Sequence, residues 1–414
     1  MSETMEQEAL NAAHRANGCP VVHHDFSRPM AACGYLQLAD QLREGAPVYF
    51  NRYAQGYWIF SRHDAVRDIY KNPELFSSES ITPWEPDPAY RFIPTQLDAP
   101  EHLKYRRIVN PWFSPARVDA VAGMVHDVCR KYVQDVAPRG RCDFVTTFAL
   151  QYPTEVFLTM IGADPEKTDS FVAWVEDFFK GFGGDPDGVE PMLAALASIR
   201  GYWEGAVADR RGDPEPREGD LASHLIHSAV DDRPLTDTEI LDMLVVLTLA
   251  GLDTTRGTLG YIFWHLAQHP DHRRRLIDEP ELIPYFVEEC TRYYTIIFGD
   301  GRKVAHDAEF HGASLKKGEM VYGLVAGANR DPRYWERAGE FVLDRKKNNH
   351  FGFASGPHRC LGMHLARREL AVGVEEWLKV IPDFRVDTDQ PLMERGGGSM
   401  TTLLELPLAW EVAS

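Results

Sequence analysis

The sequence contains no C-x-x-C: its six cysteines, Cys19, Cys33, Cys129, Cys142, Cys290 and Cys360, are scattered along the chain. That spacing argues against a disulfide framework and lacks the ligand pattern of a structural zinc site. A reducing compartment is expected. Long apolar runs are missing as well. The longest mainly apolar stretch, Met243 to Leu252, lies between Asp242 and Asp253 and is too short to cross a bilayer. The first thirty residues are polar and broken by Pro20 and Pro29, so neither a signal peptide nor an anchor helix is expected, and the cytoplasm is the expected location. Positive charge is scarce, with 44 Lys and Arg against 62 Asp and Glu, a net charge of -18. General binding to nucleic acid or to an anionic membrane is therefore not expected. No repeat, low-complexity tract or long linker breaks the chain. Residues 1–414 are read as one domain, with a flexible N-terminal segment over about residues 1–20.

What is present is helical periodicity. It predicts helices over Arg117–Val136, Pro153–Ile161, Asp169–Phe182, Pro191–Arg210, Asp220–Ser228 and Ile283–Tyr294. Strand signals are shorter: Val48–Tyr53 with Tyr57–Phe60, Arg302–Phe310, Met320–Leu324 and Thr401–Glu411. The turn-rich "HGASLKKGE" favours hairpins. The class is mainly α with small β-sheets. One helix stands apart. "TDTE" at Thr236–Glu239 is a capping box, and the pattern then runs to Gln268 before His269-Pro270 ends it. Such a helix is about 48 Å long at 1.5 Å per residue. Its first half is apolar nearly all round, so it crosses the interior.

Cys360 precedes another helix, whose apolar face is marked by Leu361, Leu365, Leu370, Val374, Trp377, Leu378 and Ile381. Free amides at a helix start favour a thiolate. Gly356 and Gly362 allow close approach to something flat or bulky, and His358 and Arg359 add positive character. A buried structural cysteine is the plain alternative. The surrounding letters, Phe353, Gly356, His358, Cys360 and Gly362, form F-x-x-G-x-H-x-C-x-G. This resembles the haem-binding loop of the cytochrome P450 family, with Ala354 where many members carry Gly or Ser. The resemblance implies the P450 fold, haem b between the long central helix and the Cys-loop helix, and Cys360 as the axial iron ligand.

Further segments carry the same resemblance, from about Pro20 to Trp410. "AGLDTT", Ala250–Thr255, lies inside the long helix and resembles the oxygen-activation motif A-G-x-D-T. By that likeness Ala250 and Gly251 form a groove, Thr254 holds dioxygen by a hydrogen bond, and Asp253 relays protons. "EECTR" places Glu289 and Arg292 at i, i+3, like the family's E-x-x-R, with Arg345 as a third, structural member. The haem propionates need cations. His102 and Arg106 in "PEHLKYRR", Arg302 and His358 occupy family-like places for that task. The closest likeness is to soluble bacterial camphor-hydroxylase-like members. It nominates Tyr90, Val246, Leu249, Phe298 and Met400 as substrate-binding residues.

The implied activity is monooxygenation of a small hydrophobic, terpenoid-like substrate, using O2. Only 52 residues follow Gly362, so a fused reductase is not expected, and an iron–sulfur ferredoxin with its reductase is the expected electron source. Arg359, Arg367, Arg368, Lys104 and Arg107 are candidates for docking it. The alternatives are a peroxide-driven peroxygenase on the same fold, or a haem-binding sensor or carrier.

Overall fold

A computed structural model describes residues 18–396 and 398–412. The expected flexible N-terminal segment lies almost wholly outside the described residues. Helices dominate, and the long one, Asp237–Gln268, runs through the middle of the core. Its start is fixed as its sequence dictates. Thr236 Oγ1 accepts from the Glu239 amide at 3.3 Å, and Glu239 Oε2 accepts from the Thr236 amide at 2.8 Å. Arg233 and the Tyr105 hydroxyl also donate to Glu239, which ties the cap to the helix Glu101–Val109. The helices Gln151–Ile161, Val189–Arg210 and Met363–Val380 pack around the long helix.

The largest sheet has six strands in the order Val21–Val22, Val48–Asn51, Tyr57–Phe60, Met320–Gly323, Asp300–Val304 and Phe76–Ser77. Tyr57–Phe60 is buried at all four positions because it lies inside the sheet with side chains packed on both faces. Met320–Gly323 pairs parallel to it across a long span of sequence. Among the described residues, two three-stranded sheets and two hairpins complete the β structure.

Several expected elements divide. Arg117–Val136 is two helices, Pro115–Ala120 and Ala122–Val136, broken at Val121. Ser114 caps the first, accepting from the Arg117 amide at 3.4 Å, with Pro115 opening the helix. Arg302–Phe310 divides into Asp300–Val304 and Ala308–Phe310, which belong to different sheets. Thr401–Glu411 likewise divides into Thr402–Leu403 and Pro407–Ala409. The helices Gly34–Gly45 and His63–Lys71 have no sequence expectation behind them. Neither start carries a capping side chain: the preceding residues are Cys33, left-handed, and Arg62. Among the described residues no helix is long and apolar enough to cross a membrane.

Candidate active site

A cavity of about 350 Å³ lies between the long helix and the loop that carries Cys360. From the helix come Val246, Leu247, Ala250, Gly251, Thr254, Thr255 and Thr258. These positions share one face at a spacing of 3.6 residues. Ala250 is exposed in the middle of an otherwise buried helix because it faces this space. A Cβ on Gly251 would lie 2.4 Å from Cε2 of Phe157. Glycine is thus needed there for the neighbouring helix to approach. Gly251 also lines the cavity beside Ala250 and Thr254.

The opposite wall is the segment from Gly352 to Leu370. Cys360 donates its amide to the Phe353 carbonyl at 2.9 Å. Asn329 Oδ1 accepts from the Phe351 amide at 2.8 Å, and Arg367 lies 4.4 Å over the Phe353 ring. Gly356 has φ +69°, and a Cβ there would meet the Tyr70 carbonyl oxygen at 2.3 Å. A larger residue would push the loop off the sheet-side helix. The Cys360 sulfur opens onto the cavity and is otherwise enclosed by protein. Burial pushes its thiol up, and the Gly362 amide with the Arg106, Arg367 and Arg359 guanidiniums only partly offsets this. The helix-start amides therefore do not by themselves make a thiolate. A bound metal would have to draw the proton off.

Arg106, His358 and Asp300 line one edge. His102 and His358 face each other at 4.0 Å, and His102 Nδ1 is buried without a partner. Burial pulls His102 down to about 4, with help from Arg106, and pulls His358 down to about 3, with help from Arg302, His102 and Arg106. Both are neutral imidazoles at pH 7, so they offer N–H groups rather than the expected charge. Arg302 stands one layer back, paired with Asp300 at 2.8 Å. Tyr70 Oη, also on the cavity, has no partner. An apolar slot with a thiol on one wall and orphaned polar groups at its edge suits a planar metal cofactor carrying acidic arms.

Of the proposed substrate residues, the structure brings Val246 to the cavity and sets the other four off it. Leu249 falls on the buried far side of the helix. Phe298 and Met400 are buried in the core, while Ile296, Ile297, Gly299, Asp300 and Ser399 line the cavity around them. Phe298 packs 5.1 Å from both Phe26 and Tyr35. Tyr90 donates its hydroxyl to Glu85 at 2.7 Å.

Asp253 is fully buried and off the cavity, held by Arg256 at 2.8 Å and Arg395 at 2.5 Å. Burial would raise its carboxyl, but Arg395 and Arg256 outweigh this and hold it below the usual range. Thr254 Oγ1 donates to the Ala250 carbonyl at 3.0 Å. Glu289 and Arg292 are both fully buried and doubly bonded, at 2.7 and 2.8 Å, with Arg345 joining at 2.9 Å.

Sequence reasoning passed over Glu369. It lines the cavity, is 1 % exposed, and accepts from Thr255 Oγ1 at 3.2 Å, while its Oε1 has no partner. Burial holds its carboxyl well above the usual range against the Thr255 hydrogen bond. A raised native value means that the folded state keeps a proton which the unfolded chain releases above pH ~4.3. Stability contributed at low pH is then lost as pH rises toward the native value. Glu369→Gln should remove that slope. Its melting temperature, relative to wild type, should be higher at pH 8 than at pH 5. An equal difference at both pH values would show Glu369 ionised in the folded protein.

A slot with a thiol on its wall, beneath a long interior helix, fits the haem-thiolate class that the cysteine loop resembles. The cytochrome P450 profile matches residues 49–405. The chain is 30% identical over 372 residues to the steroid C26-monooxygenase of Mycolicibacterium smegmatis, covering 89% of this chain and 91% of that one. It is 30% identical to the mycinamicin IV hydroxylase/epoxidase of Micromonospora griseorubida, covering 89% and 94%. The crystal structure of CYP101J2 superposes with a TM-score of 0.85 at 29% identity, covering 96% of this chain and 99% of that one. The chain belongs to the cytochrome P450 family: it is a haem-thiolate monooxygenase with the P450 fold, working with haem b, O2 and a hydrophobic substrate.

Proposed function

We propose that residues 1–414 act as one haem domain that hydroxylates a compact hydrophobic substrate, with Cys360 as the axial ligand. The observation that carries this is that Cys360 and the helix residues Ala250 and Thr254 line one cavity. Bound haem supplies the redox and dioxygen-activating chemistry. Arg106, His102, His358 and Tyr70 would hold its propionates, with Arg302 set behind Asp300 at the same edge. Thr254 lines the cavity with its hydroxyl donating to the Ala250 carbonyl, so its oxygen would serve as an acceptor toward bound dioxygen species. Asp253 and Glu369 serve opposite ends of proton delivery. Asp253, ionised in its two-arginine clamp, communicates with the distal surface, while Glu369 keeps a proton at the cavity. Ile81, Phe182, Val246, Leu247, Ile296 and Ile297 exclude water and orient the substrate.

The test is the carbon monoxide difference spectrum of the reduced holoprotein. Wild type should give the red-shifted Soret band of thiolate ligation, Cys360→Ala should lose it, and Cys360→His should move it. A wild-type spectrum of imidazole type would overturn Cys360 as the ligand.

Electrons reach this chain from a separate acidic ferredoxin. Of the candidate docking cations, Arg367 is held by Glu288, Arg368 by Asp119, and Lys104 by Glu101 and Asp231. Arg107 and Arg359 are exposed and have no acidic partner among the described residues, so they carry the docking. Arg107→Glu should slow ferredoxin-driven reduction several-fold at low salt and leave dithionite reduction unchanged. Equal ferredoxin rates in the variant and wild type would remove this face from the pathway.

A further inference from the structure

Trp84 lies in a loop whose neighbours Ile81, Pro94 and Thr95 help line the cavity, yet its own indole turns away from that space. It docks on two glycines from distant parts of the chain. A Cβ on Gly184 would lie 3.0 Å from its Cδ1, and one on Gly398 would lie 2.1 Å from its Cη2. Both glycines have positive φ, +91° and +57°, so each seat is suited to glycine in conformation as well as in space. The indole Nε1 donates to the Phe182 carbonyl at 3.1 Å. The Phe182 side chain lines the cavity from the other side.

The two bodies joined by this contact are each braced internally. The Glu85 carbonyl accepts from the Ser80 and Thr82 hydroxyls at 3.1 and 3.2 Å, and the Glu85 amide donates to the Thr82 carbonyl at 3.0 Å. The turn after the helix Thr168–Phe182 is pinned by the close approach of Gly181 to Gly188, where a Cβ on Gly181 would lie 2.3 Å from the Gly188 carbonyl oxygen. Tyr53 donates to the Gly184 carbonyl at 2.8 Å. Between the loop and the turn, among the described residues, no ion pair crosses. One neutral hydrogen bond and ring contacts hold the two rigid pieces together, and such a link can part without breaking either.

We propose that Trp84 is a latch that sets the size of ligand admitted between Ile81 and Phe182. Docked, it closes the roof of the cavity. Undocked, it lets the 80–85 turn swing from the Phe182–Gly184 turn, and the opening needed grows with the ligand. The proposal rests on the haem reading for its signal, because a nitrogen ligand on haem iron shifts the Soret band.

The experiment is stopped-flow binding of imidazole and of 4-phenylimidazole to the holoprotein. In Trp84→Ala, association and dissociation of 4-phenylimidazole should both rise by roughly tenfold, while imidazole rates change by less than about twofold. Trp84→Phe keeps a ring and loses the donor. It should raise the 4-phenylimidazole rates by about fivefold, the factor expected for losing one neutral hydrogen bond. Unchanged rates overturn the latch, and so does an equal rise for both ligands, which marks general loosening. If Trp84→Ala fails to take up haem, Trp84→Phe decides. No Soret response in wild type would instead strike the haem reading and is read separately.

Discussion

Glu289→Ala should lower the stability of the holoprotein by about 3–5 kcal/mol, the largest loss expected from any single change away from the cavity. Glu289 is fully buried and accepts from Arg292 Nε and Nη2, Arg345 Nε, the Val342 amide and Asn348 Nδ2. Without it, the Arg292 guanidinium keeps the carbonyls of Asn329, Ala338 and Glu340 but is left as an uncompensated buried charge. Those carbonyls lie in the segment that leads into the Cys360 loop. Haem should therefore dissociate at a lower temperature along with unfolding. A neighbouring pair gives the contrast. Glu288 binds Arg367 and His350 at a partly exposed position, so Glu288→Gln should cost far less. Thermal melts followed at the Soret band and by far-ultraviolet circular dichroism would check both. A Glu289→Ala loss below about 1 kcal/mol would mean that water enters and solvates Arg292.

Asp253→Asn should reduce kcat by about 10²–10³, in the range of a lost proton-transfer group. KM should change little, because Asp253 does not line the cavity. The solvent isotope effect on kcat should rise as proton delivery becomes slower. The substitution also takes a carboxylate from two guanidiniums, Arg256 and Arg395, so some stability will be lost too. The two roles separate by readout. A lower melting temperature with kcat within threefold of wild type would leave Asp253 as a structural partner of the arginines and nothing more.

The sequence made the chemistry more legible than the geometry that supports it. The capping box at Thr236, the end of the long helix at Gln268 and the glycine-rich cysteine loop are local signals, written in contiguous letters. The Glu289–Arg292 spacing was visible for the same reason. Arg256 is three residues from Asp253 and was within reach of the same spacing argument. Arg395 was not, since 142 residues separate it from Asp253 and only the placement of its strand joins them. Glu369 was hidden differently. Helical pattern puts it near the buried side, but no pattern says that the opposing wall is a cavity rather than a packed neighbour. Burial, which a sequence does not display, lowers the basicity of the His102 and His358 imidazoles.

The split of the cavity's sheet-side wall between lining and core residues decides where this protein can be altered. Ile297 and Ser399 face the reaction space, whereas Phe298 and Met400 face the core one residue away. A mutant library aimed at new substrates should vary Ile297, Ser399 and Val246 freely and leave Phe298 alone. One register step separates changing selectivity from opening a hole among Phe26, Tyr35 and Tyr322.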